Sequence, residues 1–168
     1  MSLRVEVQDA ELRAAFDRLT RAVADPTEAL QAVGDELVAQ TALAFHDARS
    51  PFGPPWARLS PITAALRRKG NSPGGSKPLH DTGALSSSVV AEADRSSVTV
   101  GTNWMSDPDH IATGAAIHQF GGKAGRGRKV TIPARPFLPV DIDGELAPQT
   151  QSAVLDIFND FLADAWGR

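Results

Sequence analysis

The sequence predicts an α+β fold, with long helices near both termini packed on a small, mainly antiparallel β-sheet and joined by extended Pro/Gly-rich loops. Three observations lead there. Apolar residues recur at helical spacing near both ends of the chain. Two short β-branched runs, 88–93 and 97–101, flank Asp94-Arg95-Ser96 in the middle. Helical and strand signals are segregated rather than alternating, which argues against a parallel α/β sheet.

Leu3, Val5 and Val7 alternate with Arg4, Glu6 and Gln8, the pattern of a short half-buried strand. Asp9 can cap a helix whose stripe is Leu12, Ala15, Phe16, Leu19 and Val23. Asp25-Pro26 ends it and starts a second, with Asp25 at the N-cap, Pro26 at the first helical position and Glu28 at the third. That stripe is Leu30, Val33, Leu37, Thr41, Ala44 and Phe45, reaching about residue 48. Three prolines and a glycine in Ser50-Pro51-Phe52-Gly53-Pro54-Pro55-Trp56 forbid regular structure, and two large aromatics there predict that the loop packs on something.

Ser60-Pro61 opens a short helix closed by Arg67-Arg68-Lys69-Gly70, where basic residues in the last turn suit the helix dipole. Residues 70–78 are polar and Gly/Pro/Ser-rich, a predicted mobile loop. Asp81 or Thr82 can cap a brief turn through Leu85, and a β-hairpin follows. Residues 103–109 read as a loop containing Trp104, and 112–120 as a short helix stopped by Gly121-Gly122. Residues 121–129 are a second predicted mobile loop, basic and glycine-rich. Residues 129–132 form a strand, and 133–139 a proline-pinned extended segment. The last helix covers 146–166 with Val154, Ile157, Phe158, Phe161, Leu162 and Ala165 on one face. With no internal repeat and no composition break, residues 1–168 read as one domain.

A 42% hydrophobic fraction is enough for a folded core, yet no apolar run reaches the ~18 residues of a membrane span. No apolar leader follows Met1-Ser2-Leu3-Arg4, so synthesis in a cytoplasm is expected. The absence of cysteine removes disulfides, thiolate catalysis and cysteine-based metal sites.

The net charge of −3 conceals a polarised distribution. Both ends are acidic. Between Asp47 and Asp81 there are only bases: Arg49, Arg58, Arg67, Arg68, Lys69 and Lys77. Between Asp109 and Asp141 the same holds, with Lys123, Arg126, Arg128, Lys129 and Arg135. Such blocks are either solvated loops or a surface that steers docking on a like subunit, a partner or DNA.

Catalytic signals are weak. Asp81-Thr82-Gly83-Ala84 has the tetrapeptide of retroviral-type aspartic proteases, but Lys77-Pro78-Leu79-His80 is a poor strand to precede it, and a helix cap explains it better. His110 and His118 with Asp107 and Asp109 match no common metal spacing. His118, beside Ile117, reads as a histidine satisfied by a partner or interface, and His46 and His80 are isolated. The run 121–129 lacks the order of a P-loop, and no nucleophile elbow or triad is visible. No catalytic, cofactor or metal residues are assigned, and no cofactor is expected.

Five blocks, in order, carry a resemblance. They are Ser50-Pro51-Phe52-Gly53-Pro54-Pro55-Trp56-Ala57-Arg58-Leu59-Ser60 with Pro61 and Thr63; Leu79-His80-Asp81-Thr82-Gly83-Ala84-Leu85; Val98-Thr99-Val100-Gly101-Thr102; Ile117-His118-Gln119-Phe120-Gly121-Gly122; and Ile132-Pro133-Ala134-Arg135-Pro136-Phe137-Leu138. Over about residues 5–161 the chain resembles the phage virion morphogenesis, or tail completion, family of Mu-like contractile-tailed phages. The resemblance implies a non-enzymatic protein of tail completion and head–tail joining, similar to ring-forming neck or tail-terminator components that are commonly six-fold. It implies assembly in the host bacterial cytoplasm and residence in the virion, phage or prophage in origin. Implied partners are further copies of itself in a ring, hexameric when assembled, other tail and head–tail connector proteins, and passing genomic DNA, with no membrane. Phe52, Trp56, Arg135 and Phe137 are then candidate subunit or partner contacts, because buried aromatics and arginines carry interface energy. Lys123, Arg126, Arg128 and Lys129 are candidates for a DNA-lined lumen or a neighbouring ring. Two alternatives are an assembly factor absent from the mature particle and a DNA-contacting module built on the basic loops.

Overall fold

A computed structural model describes residues 9–71, 73–104, 114–125, 127 and 129–167. The predicted strand at 3–7 lies outside them. The chain forms helix α1 (Ala10–Ala24), α2 (Thr27–Asp47), α3 (Pro61–Lys69) and α4 (Ala84–Ser87), then strands β1 (Val90–Ala93) and β2 (Val98–Gly101). Helix α5 (Ala115–Phe120), strands β3 (Gly122–Ala124) and β4 (Val130–Ile132), and helix α6 (Pro148–Trp166) complete it. The fold is α+β. In place of one small sheet there are two separate antiparallel ribbons, β1–β2 and β3–β4.

Helix α2 is the spine. One flank meets β1 and β2, and another meets α6, which also packs on α1. Gly34 sets the distance between α2 and the ribbon. A Cβ there would lie 2.9 Å from Ala91 Cβ and 3.0 Å from Val98 Cγ2, so only glycine lets the helix sit this low. Toward its C-terminus α2 contributes Ala44 and Phe45 to the main core, completed by Trp56, Leu85 and Phe137. Phe45 meets Trp56 edge-on, with centroids 5.5 Å apart, and Phe137 at 5.3 Å.

The helix ends follow local chemistry. Ser60 Oγ accepts the Thr63 N–H at 3.1 Å, capping α3 as the sequence predicts. Pro26 rather than Asp25 occupies the N-cap of α2. Asp25 instead accepts the Thr27 hydroxyl at 2.6 Å and faces Arg95 Nε at 3.2 Å, tying the α1–α2 corner to the ribbon's turn. The Thr27 bond, more than the Arg95 charge, holds the Asp25 carboxyl below its ordinary range. Asp94 makes the turn itself, its Oδ1 accepting the N–H groups of Ser96 and Ser97 at 2.7 and 2.9 Å. Helix α6 begins two residues later than the periodicity suggests. Leu146 is engaged in a bridge with Val140, and Pro148 provides a first helical residue that needs no N–H partner.

Helix α1 departs further from expectation. Of its apolar stripe, Leu12, Phe16 and Val23 are exposed, and only Ala15 in the helix is buried. Phe16 leans edge-on against Trp166 at 5.3 Å, and Arg18 donates to the Ala165 and Trp166 carbonyls, capping the end of α6. Periodicity identified the face, and little of it is covered by the described residues.

Candidate functional site

The most heavily constructed part of the molecule is a cradle of loops around α5. It starts with the Pro/Gly loop after α2. Ala48 takes the left-handed conformation that ends the helix (φ 51°), and its carbonyl accepts the Trp56 N–H at 2.9 Å. Arg49 bridges to Pro55, and the Arg49 guanidinium donates to the Gly53 carbonyl at 2.6 Å. The loop is thereby closed on itself and turns Trp56 inward.

The segment 133–139 is proline-rich, so it has few N–H groups, and among the described residues no strand pairs with it. Gln119 takes the place of a neighbouring strand. Its buried amide accepts the N–H groups of Phe137 and Leu138, both at 2.9 Å, through Oε1. Through Nε2 it donates to the Leu138 and Val140 carbonyls at 3.0 and 2.8 Å. All the bonding capacity of one side chain is used on one segment. The Arg135 N–H donates to the His118 carbonyl at 2.7 Å, extending the same clamp.

Arg135 and Trp56 close the cradle. The Arg135 guanidinium donates to the Ala57 carbonyl at 2.8 Å and the Arg58 carbonyl at 3.1 Å. The Trp56 indole N–H donates to the Pro136 carbonyl at 2.8 Å. Burial, and then the charge of Arg67, push the Arg135 pKa down, so its carbonyl partners compensate for a charge held away from water. Gly121, at φ 75°, lets the end of α5 pass the segment, where a Cβ would stand 2.9 Å from the Ala134 nitrogen.

Trp56, Arg135 and Phe137 are buried within their own subunit and serve its cohesion. As candidates for a subunit or partner contact they leave little surface free in the single chain. Phe52 alone of the four reaches solvent, at 36% exposure. It borders an apolar groove of about 410 Å³ shared with Pro54, Phe120, Pro136 and Ile142. Lys123 and Lys129 are exposed. Lys123 lies in β3 opposite Thr131, so the predicted loop 121–129 opens as a paired strand. Arg126 and Arg128 lie outside the described residues. In the predicted loop 70–78, residues 70–71 and 73–76 are turns, and Lys77 is bonded through its ammonium to the His46 carbonyl and through its carbonyl to Arg67.

Gln119 was not singled out from the sequence as a functional residue. A glutamine inside a short apolar helix, just before a segment whose prolines cannot pair as a strand, was the available signal.

The protease-like tetrapeptide forms a turn. Gly83 is left-handed at φ 85°, Thr82 Oγ1 accepts the Ala84 N–H, and Asp81 faces Arg67 at 3.7 Å. His80 Nε2 lies 2.8 Å from the Phe45 carbonyl and supports the core. His110, Asp107 and Asp109 lie outside the described residues.

His118 stands against Trp104, and its Nδ1 is buried with no hydrogen-bond partner among the described residues. Burial first, then Arg135 and Arg67, lower its pKa, so the ring is neutral at pH 7. Since the unfolded state takes up the proton more readily, folding stability should fall as pH drops through the ordinary histidine range and below. Melting curves from pH 7.5 to 5 should show this loss, and His118→Asn should flatten it relative to the parent.

The α+β scaffold and its clamped loops define a small protein whose elaborated residues hold backbone together and converge on no reactive centre among those described. The chain belongs to the phage virion morphogenesis family, whose sequence profile matches residues 7–163. It is 34% identical over 160 residues to the Mu-like prophage FluMu G protein 2 of Haemophilus influenzae, with 95% of each chain covered. No solved structure matches it. The five blocks behind the resemblance contribute much of the cradle and core: Trp56, His80 and Leu85, Gln119, Arg135 and Phe137, with the β2 ribbon on α2.

Proposed function

We propose that this protein is a non-enzymatic structural component of phage tail completion and head–tail joining, acting as a ring-forming neck or tail-terminator subunit. The family match over residues 7–163 carries the reading, and similarity to a Mu-like prophage protein supports a contractile-tailed phage or prophage origin. The partners are further copies of the chain and adjoining tail or connector proteins. The exposed cations Lys123, in β3, and Lys129, just before β4, are the surface offered to a neighbouring ring or to DNA in the lumen. The roles assigned to Asp81, His80 and Gln119 in holding turns and loops favour assembly over catalysis.

The test is cryo-microscopy and mass spectrometry of particles from the intact phage, with a deletion of this gene alongside. Density for the chain in a ring at the head-proximal end of the tail is expected, and the deletion should leave tails that fail to join heads. Its absence from finished particles, with the same deletion defect, would replace the structural subunit by a transient assembly factor.

A further inference from the structure

We draw no further inference here: the strongest candidate, the pocket of about 440 Å³ beside α5 lined by Arg67, Asp81, Thr82, Trp104 and His118, carries nothing, because its guanidinium and carboxylate already face each other and the His118 Nδ1 that lacks a partner among the described residues is buried out of reach of solvent, so nothing in the structure shows what the pocket would hold.

Discussion

Replacing Gln119 by leucine should lower the stability of this protein by roughly 2–6 kcal/mol, because two backbone N–H groups lose their acceptor at about 1–3 kcal/mol each. Leucine fills a similar volume, so the loss measures the hydrogen bonds rather than a cavity. The Phe137 and Leu138 N–H groups have no strand to turn to, and the Leu138 and Val140 carbonyls lose their donor at the same time. At ~2–4 °C per kcal/mol for a domain of this size, the melting temperature should fall on the order of 10 °C. Gln119→Glu separates the two halves of the clamp. It keeps an acceptor for the N–H groups but sets a carboxylate against two carbonyls. Its deficit at neutral pH should shrink on acidification, when the protonated carboxyl can donate. Thermal denaturation of both variants across pH checks this, and a melting temperature within a degree or two of the parent for Gln119→Leu would refute the clamp.

Phe137→Ala should cost about 3–5 kcal/mol, the range for emptying a buried aromatic site. Phe137 is 1% exposed and lies at the centre of the main core against Phe45. The polar cradle around it keeps its shape through Gln119 and Trp56, so the cavity has little room to collapse. Denaturant titration should show a lower midpoint, with the slope retained if the cradle persists. The comparison with Phe52→Ala is informative. Phe52 sits at the mouth of the apolar groove and contributes less to the fold, so its loss should change stability by under about 1 kcal/mol. A large effect at Phe52 and a small one at Phe137 would reverse their placement at the surface and in the core.

Both experiments bear on the family motifs. Gln119 and Phe137 belong to two of the five blocks that carry the resemblance, and in this chain the Gln119 side-chain oxygen accepts the Phe137 N–H while Phe137 packs in the core. The Gln119 block, the Arg135 block and the Trp56 loop meet at the proline segment, through Gln119 on the Phe137 N–H, Arg135 on the Ala57 carbonyl and the Trp56 indole on the Pro136 carbonyl. In the ring proposed above such rigidity would help, because a surface presented to a neighbour binds at lower entropic cost when it is already ordered.

The sequence by itself determined the class of fold, the helices and the turns that separate them, because these depend on neighbours within a few residues. The α2 stripe, the Ser60 cap and the Asp94 turn needed nothing beyond their own segment. It also determined family membership, through motifs whose order survives without any knowledge of why they are there. Tertiary structure alone decided three things. Gly122-Lys123-Ala124 reads as loop and becomes a strand only by pairing with β4, a contact that composition does not encode. The stripe of α1 marked an apolar face, yet periodicity does not say how much of that face the described residues cover. Trp56, Arg135 and Phe137 gave an identical signal for a subunit contact and for a core, since an aromatic or arginine in a Pro/Gly loop must pack on something in either case. The long-range partners, Pro136 for Trp56 and the Ala57 and Arg58 carbonyls for Arg135, placed all three inside.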